Sequence, residues 1–284
     1  MDKQYSKLLP DGYAAFENQV AGHNSKDGRS PTGILKSSDG YVLKPITKQP
    51  QSDTEIGFYE SITSNEKFIC FRDFVPAYKG TTILNIQGLE INFLKLQDIT
   101  KGYIKPCVMD VKIGSQTWDP NATASKRKAE EEKYRVSKKE FGFCIPGYQV
   151  HCLSDGSFKK MGKEEGRTLD KHSLPLALKK FFNTDFARSG ELIDLFLERL
   201  GAILNMWLKQ TVVHIYSSSL LFAYDAHHLE LSITTKVIGN IRSCINVMMI
   251  DFAHVVPANN TLDSNYIAGL KNLIKLLEDI RSGK

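Results

Sequence analysis

An aspartate and a lysine two residues apart are the side chains of this sequence best placed to do chemistry. Asp110 and Lys112 end an apolar run that begins after Pro106, and Gly114 follows them. In an extended strand, residues two apart point to the same face, so both side chains would enter one pocket. Phosphoryl transfer uses such a pair, because a carboxylate orients the attacking hydroxyl and an ammonium binds the transferring phosphate. The plain alternative is a surface ion pair at the end of a strand.

A second aspartate stands at a similar position late in the chain. Asp251 ends the apolar segment 247–250, where a carboxylate is costly unless a positive charge lies beside it. A divalent cation bound to nucleotide phosphates would supply that charge, and so would an Arg or Lys partner. Ser219, which opens the predicted strand 219–224, offers a hydroxyl to the same metal or phosphate, although an ordinary strand start explains this serine as well.

Lys44 is a candidate ligand of nucleotide phosphates. It lies at the end of a predicted strand, as the phosphate-binding lysine of kinases does, and Glu55 on the following helix is its candidate ion-pair partner. The alternative is an exposed lysine, which is the usual environment of this residue type. No glycine-rich phosphate-binding motif is present, so nucleotide binding rests on these residues and not on a loop signature.

The segment 93–98 joins the first third of the chain to the Asp110 region. We expect backbone groups of Lys95, Leu96 and Gln97 to pair with the edge of an adenine ring. We expect the carboxylate of Asp98 to accept a hydrogen bond from a ribose hydroxyl. A turn or helix cap explains Asp98 equally well, since aspartate favours both.

Basic side chains cluster after the Asp110 region and indicate a polyanionic ligand. Lys126 and Lys133 share one face of the predicted helix 119–137, and later segments add further cations: Lys138, Lys160, Lys163 and Arg167. A multiply phosphorylated ligand without apolar parts must be recognised by such clusters, Lys112 included. Solvated charges paired along the helix are the alternative. Nucleic acid and acidic lipid compete as ligands, but few aromatic residues interleave the cations, which argues against single-stranded nucleic acid.

The elements that position these residues form a β-rich first part and a mixed second part. The first part contains a predicted hairpin at 33–45, a helix at 53–61 capped by Asp53, and strands at 68–75, 81–87 and 91–96. After the helix 119–137, the second part contains two strands within 141–153 interrupted at Pro146, helices at 191–209 and 263–280, neighbouring strands at 211–216 and 219–224, and a strand at 246–252.

Composition indicates a soluble globular protein. The 284 residues are 42% hydrophobic and 24% charged, with a net charge of +5, and no run approaches the ~18 apolar residues of a membrane span. The five cysteines are odd in number, widely spaced and form no C-x-x-C pair, so neither a disulfide framework nor a zinc site is indicated. We expect a monomer in a reducing compartment, the cytoplasm or the nucleus, without a signal peptide or a nucleic-acid partner.

Several motifs together resemble those of the inositol polyphosphate kinase family. Residues 106–114 match the pattern P-x-x-x-D-x-K-x-G, residues 250–252 match I-D-F, and residues 219–221 match S-L-L, in the family's order. Residues 42–45 read V-L-K-P and residues 55–59 read E-I-G-F-Y, as in family members. The resemblance extends from about residue 19 to residue 255.

The resemblance implies an α+β fold of two lobes, distantly similar to protein kinases, that uses ATP and Mg²⁺. The implied division is a leader at 1–26, an ATP-binding β-rich lobe at 27–98, and a second lobe at 99–284 whose region 115–187 binds the inositol phosphate. Asp110 and Lys112 are the implied catalytic residues. Asp251 and Ser219 are the implied metal ligands, and the basic residues above are the implied substrate ligands.

Within the family, the open basic pocket favours a hexakisphosphate kinase that forms a diphosphoinositol. The segment 114–141 lacks the additional helices of trisphosphate 3-kinases, no calmodulin-target leader is expected, and residues 141–144 read F-G-F-C where the family commonly has L-G-F-R. The alternative is a multikinase or trisphosphate kinase that phosphorylates ring hydroxyls. A more remote alternative is a non-catalytic binder of inositol phosphates or phosphoinositides.

Overall fold

The structure is a computed structural model that describes residues 9–20, 33–47, 49–234 and 241–283. The strands are β1 (Tyr13–Ala15), β2 (Leu35–Ser37), β3 (Tyr41–Pro45), β4 (Tyr78–Ile86), β5 (Leu89–Gln97), β6 (Pro106–Ile113), β7 (Phe143–His151), β8 (Phe158–Met161), β9 (Val213–Ile215), β10 (Ser219–Asp225), β11 (Ile245–Ile250) and β12 (Val255–Pro257). The α-helices are α1 (Gln51–Ser64), α2 (Ala124–Glu132), α3 (Arg135–Phe141), α4 (Lys163–Arg167), α5 (Ser173–Phe181), α6 (Ser189–Trp207), α7 (Ala226–Thr234) and α8 (Ser264–Arg281).

The first part of the chain forms an antiparallel sheet in the order β1-β2-β3-β5-β4. The predicted hairpin and both strands after residue 80 are confirmed, and their side chains alternate between two faces. Leu43 and Phe93 pack on one face in a small separate cluster, whereas Leu94 and Leu96 join the main core on the other. The predicted leader is described only over residues 9–20, where β1 pairs with β2; the rest of the leader lies outside the described residues.

The prediction of a strand at 68–75 is wrong, because this segment is a 3₁₀ helix, Glu66–Phe74. Its aromatic residues recur every three positions, which matches the three residues per turn of a 3₁₀ helix and not the period of two of a strand. Phe68 and Phe71 both contact the ring of Phe58 on α1, at centroid distances of 5.9 and 5.3 Å. The side chain of Asn65 accepts a hydrogen bond from Lys67 N and caps the helix.

The second sheet has the order β11-β10-β6-β7-β8, again antiparallel, with the Asp110 strand β6 at its centre. The strands predicted at 211–216 and 219–224 exist but are not neighbours, since β9 pairs with β12 and β10 lies between β6 and β11. Ser217 adopts a φ of +57° between them and turns the chain. The two strands predicted within 141–153 are one strand, β7. Pro146 does not interrupt it, because the pairing with β6 shifts in register between Asp110 and Lys112, which leaves Pro146 in a bulge.

The single helix predicted at 119–137 is also wrong. Thr123, not Asp119, caps α2, and the chain breaks at Tyr134, whose φ of +54° separates α2 from α3. Helix α1 begins at Gln51, so Asp53 lies in its first turn and is not its N-cap. The helices predicted at 191–209 and 263–280 are confirmed as α6 and α8, and Asp263 caps α8 by accepting from Tyr266 N.

One apolar core connects the two sheets with helices α1, α6 and α8. Phe58 of α1 stacks on Phe252, just after β11, at 4.2 Å, and Trp207 of α6 stacks on Tyr266 of α8 at the same distance. The core therefore fixes α1 against the end of β11, where two predicted site residues lie. No described helix combines the length and hydrophobicity that a membrane span would need.

Candidate active site

Asp110 and Lys112 lie on the face of β6 that is turned away from the main core. The alternate residues Met109, Val111 and Ile113 belong to that core, so the period of two places the polar pair on the opposite face. Lys112 Nζ donates a hydrogen bond to Ser217 O at 2.5 Å. The sequence prediction that both side chains share one face of a strand is thus consistent with the structure.

The carboxyl of Asp110 is 5% exposed, and its pKa is raised from 3.8 to about 6. Burial is the largest cause, because it disfavours the charged form. The ammonium of Lys112 opposes this effect and lowers the pKa, whereas the carboxylate of Asp251 raises it further. Ser219 of β10 pairs with Lys112 on one side and with Ile250, the residue before Asp251, on the other, so the structure brings the three predicted residues to one site.

Asp251 follows β11 directly in a left-handed conformation, with a φ of +66°. Aspartate tolerates this region better than most residues, but the conformation is still costly and is typical of functional sites. Asp251 Oδ1 accepts a hydrogen bond from Lys44 Nζ at 2.6 Å. Of the two positive partners considered for Asp251, a divalent cation or a basic side chain, the structure contains the basic side chain, Lys44.

Lys44 bridges two carboxylates that come from different elements. Its Nζ lies 2.8 Å from Glu55 Oε1 on α1, in addition to the contact with Asp251. Burial lowers the pKa of Lys44, but the charges of Asp251 and Glu55 more than offset it, so the pKa is raised and the lysine is a cation. Glu55 Oε1 also accepts from Phe252 N at 3.4 Å. The predicted pairing of Lys44 with Glu55 is thus present and extends to Asp251.

The oxygens near Asp251 suit a divalent cation. Asp110 Oδ1 and the hydroxyl of Ser219 are both buried and make no hydrogen bond of good geometry to any described residue, although the hydroxyl is near enough to lower the pKa of Asp110. Ser219 lies on β10 directly opposite Lys112 of β6. Carboxylate and hydroxyl oxygens are the ligands that Mg²⁺ and Mn²⁺ prefer, so the residues present fit such an ion.

A cavity of about 530 Å³ lies between the turn before β3 and the segment after β5. Gln97 and Asp98 line it, together with Tyr41, Lys101 and Asn246, and its volume is in the range of small-molecule sites. It therefore brings two of the predicted nucleotide ligands to one concave surface.

The backbone predicted to meet adenine is engaged within the sheet. Gln97 N donates to Ala77 O at 2.9 Å and Asp98 N to Gly40 O at 3.2 Å, while Leu96 pairs with both neighbouring strands. The side chain of Lys95 binds Asp39 at 2.6 Å. Asp98 forms the turn that was considered as the alternative to ribose binding, since its Oδ1 accepts a hydrogen bond from Thr100 N. An adenine edge in this cavity would therefore meet groups other than the N–H groups of Gln97 and Asp98.

The predicted basic residues differ in their surroundings: some are exposed or lie near Asp110, and others bind a neighbouring glutamate. Lys126 and Lys160 are exposed, and Lys163 is near enough to Asp110 to lower its pKa. Lys133 lies beyond α2 and binds Glu130 at 2.6 Å, so it does not share a helix face with Lys126. Arg167 is exposed and binds Glu164 at 2.7 Å.

Lys138 is only 4% exposed and does not face solvent. Its Nζ donates to Thr117 Oγ1 and to Glu130 O in the last turn of α2, and burial lowers its pKa. Its contacts are those of a structural residue, so its expected role as a substrate ligand has no support from this arrangement.

Sequence reasoning missed two contacts beside the site. His254 Nδ1 lies 2.6 Å from Asp119 Oδ2, and both side chains are largely buried, so the loop after Asp251 is tied to the segment before α2. The guanidinium of Arg127 lies 4.6 Å from the ring of Trp118. The signal for the first contact was a histidine three residues after Asp251, but a pairing over 135 residues cannot be read from spacing.

Comparison with known proteins gives concordant results. A family model described as inositol polyphosphate kinase matches residues 93–278. The inositol polyphosphate multikinase of Rattus norvegicus is 32% identical over 221 residues, which make up 76% of this chain and 55% of the relative. The inositol polyphosphate multikinase alpha of Arabidopsis thaliana is 30% identical over 280 residues, 93% of this chain and 94% of that protein. This chain thus spans about half the length of the rat relative.

A solved structure confirms the fold. The crystal structure of the inositol phosphate multikinase Ipk2 from S. cerevisiae, in complex with ADP and Mn²⁺, matches with a TM-score of 0.68 at 24% identity, covering 84% of this chain and 98% of that chain. The predicted α+β fold of this kinase family is therefore correct, whereas the division at residues 26 and 98 remains a prediction.

Proposed function

Because the chain belongs to the inositol polyphosphate kinase family, we propose that it transfers the γ-phosphate of ATP to ring hydroxyls of a soluble inositol polyphosphate. The observation that carries this proposal is the meeting of Asp110, Lys112 and Asp251 at one site, with Lys44 bound to Asp251. These residues supply a carboxylate beside the acceptor hydroxyl, a cation for the transferring phosphate and a second carboxylate for a metal ion.

In this proposal the nucleotide occupies the space between the two sheets. Lys44 binds its phosphates, Asp98 receives a ribose hydroxyl, and the oxygens of Asp251 and Ser219 hold Mg²⁺ or Mn²⁺. The metal ion supplies charge neutralisation for the phosphates when it is bound. ADP and Mn²⁺ in the S. cerevisiae multikinase are consistent with this pair of cofactors.

The acidity of Asp110 supports a hydroxyl acceptor. With a pKa of about 6, its carboxyl is ionised at neutral pH yet remains more basic than an ordinary aspartate, which suits a group that accepts a hydroxyl proton. A phosphate acceptor, as in hexakisphosphate, needs no such group at neutral pH. The multikinase relatives favour the alternative of a multikinase over the hexakisphosphate kinase that the basic pocket suggested, and the basicity of Asp110 is compatible with this choice.

The phosphates of the substrate would contact cations beside Asp110. Lys112 and Lys163 both act on the carboxyl of Asp110, and Lys126 and Lys160 are exposed. Lys133 and Arg167 contribute only if they leave their glutamate partners. A ligand of several phosphates would supply the charge to displace such exposed pairs, which are individually weak.

To test this proposal, the purified protein is incubated with Mg-ATP and either inositol 1,4,5-trisphosphate or inositol hexakisphosphate. The products are then resolved by anion-exchange chromatography. We expect the trisphosphate to yield more anionic products, and Asp110→Asn or Asp251→Asn to abolish them while the protein stays folded. A product more anionic than hexakisphosphate, without trisphosphate turnover, would assign the hexakisphosphate branch. Ligand binding without turnover of either compound would overturn the proposal in favour of a non-catalytic binder.

A further inference from the structure

A chain of hydrogen bonds runs from the second sheet through the N-terminal segment to the carboxylate of Asp98. Gln149 Nε2 donates to Asn18 Oδ1 at 2.9 Å, and Asn18 Nδ2 donates to Thr100 Oγ1 at 3.0 Å. The hydroxyl of Thr100 then donates to Asp98 Oδ1 at 2.7 Å. Every group donates in the same direction, so each bond polarises the next and the chain ends on the negative charge.

The chain is buried, although its middle residue comes from a distant part of the sequence. Gln149, Thr100 and Asp98 are 3%, 5% and 4% exposed, and Asn18 lies 82 residues before Thr100. The bond from Thr100 N to Asp98 Oδ1 belongs to a local turn that many aspartates make. The bond from Asn18 does not, and its loss would leave a buried hydroxyl without one of its partners.

The position of Asn18 is fixed by the residues that follow it. Val20 is 8% exposed and packs with Ile99, Val108 and Ala223 in a separate apolar cluster. Its carbonyl lies against Gly147 of β7, so closely that a Cβ there would be 2.3 Å from Val20 O. Gly147 pairs with Asp110 of β6. The segment 18–20 therefore contacts both the second sheet and the turn that contains Asp98.

The two bonds to Asp98 reach the same oxygen. Thr100 N and Thr100 Oγ1 both donate to Oδ1, and the cavity of about 530 Å³ includes Asp98 in its wall. Holding one carboxylate oxygen by two donors fixes the plane of the carboxylate, and thereby the direction in which the other oxygen can accept a hydrogen bond.

We propose that Asn18 is a positioning residue for the nucleotide, which acts through Thr100 to hold the carboxylate of Asp98 ready for a ribose hydroxyl. This inference rests on the proposed function, since it takes the cavity beside Asp98 to be the ribose site, and it adds a residue that the sequence analysis did not consider. Asn18 does not touch the nucleotide in this arrangement, so its effect is confined to the affinity for the ribose.

The decisive variant is Asn18→Asp, which keeps the size of the side chain but leaves only acceptors. The hydroxyl of Thr100 would then donate to the new carboxylate and no longer to Asp98. Because a single hydrogen bond is lost, we expect the Kd for ATP, measured by calorimetry, to rise about three- to tenfold, and kcat to change less than about twofold. Thr100→Val should reproduce the effect, and the double variant should add little to either.

Ribose analogues separate positioning from a general structural role. The wild type should bind one of the two analogues, 2′-deoxy-ATP or 3′-deoxy-ATP, more weakly than ATP, because that analogue lacks the hydroxyl that Asp98 receives. In Asn18→Asp, the ratio of the Kd for this analogue to the Kd for ATP should fall by the same factor, about three- to tenfold, by which the Kd for ATP rises. Asn272→Ala is the matched control, because Asn272 also loses an amide hydrogen bond, to Phe141 O at 2.9 Å, outside the cavity; its Kd for ATP should not change.

The outcomes distinguish this inference from the proposed function. A lower melting temperature of Asn18→Asp and Thr100→Val with wild-type affinity for ATP and its analogues would overturn the positioning role. Wild-type protein that binds ATP but phosphorylates no inositol phosphate would overturn the proposed function and still allow the affinities to decide about Asn18. Wild-type protein that binds no ATP would overturn both.

Discussion

Asp110 carries a charge that its surroundings oppose, and this has a consequence for stability. Its pKa is raised from 3.8 to about 6 in the folded protein, mainly by burial. The folded state therefore holds the proton more tightly than the unfolded chain. The contribution of this carboxyl to the free energy of unfolding is highest below about pH 4 and is lost as the pH rises through about 6. We predict that Asp110→Asn, which removes the charge, abolishes turnover but increases the free energy of unfolding at pH 7.5 by up to about 3 kcal/mol.

Urea unfolding at pH 7.5 and at pH 4 measures this effect. At pH 4 most of the gain should disappear, because the wild-type carboxyl is then largely protonated in the folded state. Asp185→Asn, at an exposed position, is the control and should change stability little at either pH. An equal gain at both pH values would contradict the role of the buried charge.

Lys44 holds two carboxylates together, and its removal should cost both stability and nucleotide affinity. In Lys44→Met, Glu55 and Asp251 would face each other without a cation. The side chain of Lys44 is 30% exposed, so we expect a loss of about 1–3 kcal/mol in the free energy of unfolding, less than for a fully buried pair. Calorimetry should also show weaker ATP binding.

Lys95→Met is a matched control for this prediction. Lys95 also has a carboxylate partner at 2.6 Å, but it has only one, Asp39, which lies in the turn before β3 and is 48% exposed. Exposed pairs contribute little, so the loss should be below about 1 kcal/mol. Equal losses in the two variants would mean that the second carboxylate is irrelevant.

At the scale of single residues, the sequence predicted side chains whose function follows from their own chemistry. Asp110, Lys112 and Asp251 were recognisable because charged residues at the ends of apolar strands need a reason to be there. The burial of Lys138 was not predicted, because a lysine in a basic segment is normally exposed, and its burial depends on the break between α2 and α3. Asn18 gave no signal, since its partners come from two distant segments.

At the scale of elements, the junction between α2 and α3 depends on Lys138. Its ammonium binds the carbonyl of Glu130, one of the last carbonyls of α2, and the hydroxyl of Thr117. We predict that Lys138→Met lowers the free energy of unfolding by about 1–3 kcal/mol, because these buried acceptors lose their donor, and leaves the KM for the inositol phosphate unchanged. The exposed Lys160→Met should show the reverse pattern. A raised KM in Lys138→Met would restore its predicted role as a ligand.

Strand β7 leaves no room for a side chain at Gly147. A Cβ there would lie 2.3 Å from Val20 O and 3.0 Å from Met161 O, both backbone atoms that cannot move independently. We predict that Gly147→Ala destabilises the protein by about 1–3 kcal/mol and raises the KM for ATP by displacing the segment 18–20. Thermal unfolding and steady-state kinetics measure the two effects.

Gly201→Ala is the control for this substitution. Gly201 lies in α6, where no described residue outside the surrounding helical backbone has an atom within 4 Å of an added Cβ, so alanine should stabilise the helix by up to about 1 kcal/mol. A neutral Gly147→Ala would show that the strand and the N-terminal segment can separate without cost.

Elements were predicted well where one period dominated and poorly where two competed. The apolar spacing of α6 and α8 follows a helix over many turns, so both were found. The segment 66–74 is rich in aromatic residues typical of strands, yet its contacts with α1 select a 3₁₀ helix. A charged segment such as 124–141 has few apolar residues to define a period, and its break at Tyr134 therefore went unrecognised.

At the scale of the whole molecule, the sequence indicated the β-rich first part and the mixed second part, but not how strands pair. The order β11-β10-β6-β7-β8 pairs residues as distant in the sequence as Pro106 and Asp225, and pairing over such distances depends on the entire core. The motifs nevertheless predicted that Asp110 and Lys112 lie together, because a strand's period of two places them on one face whichever neighbours the strand acquires.

The chain has two tryptophans, and they report on different places. Trp207 is fully buried against Tyr266 in the core, whereas Trp118 is partly exposed beneath Arg127 at the start of the basic region. In Trp207→Phe, the remaining fluorescence therefore comes from the neighbourhood of the proposed substrate site, and its response to added inositol phosphate would follow binding without a label. In Trp118→Phe, emission follows unfolding of the core alone, so ligand occupancy and global unfolding become separable optical signals in one protein.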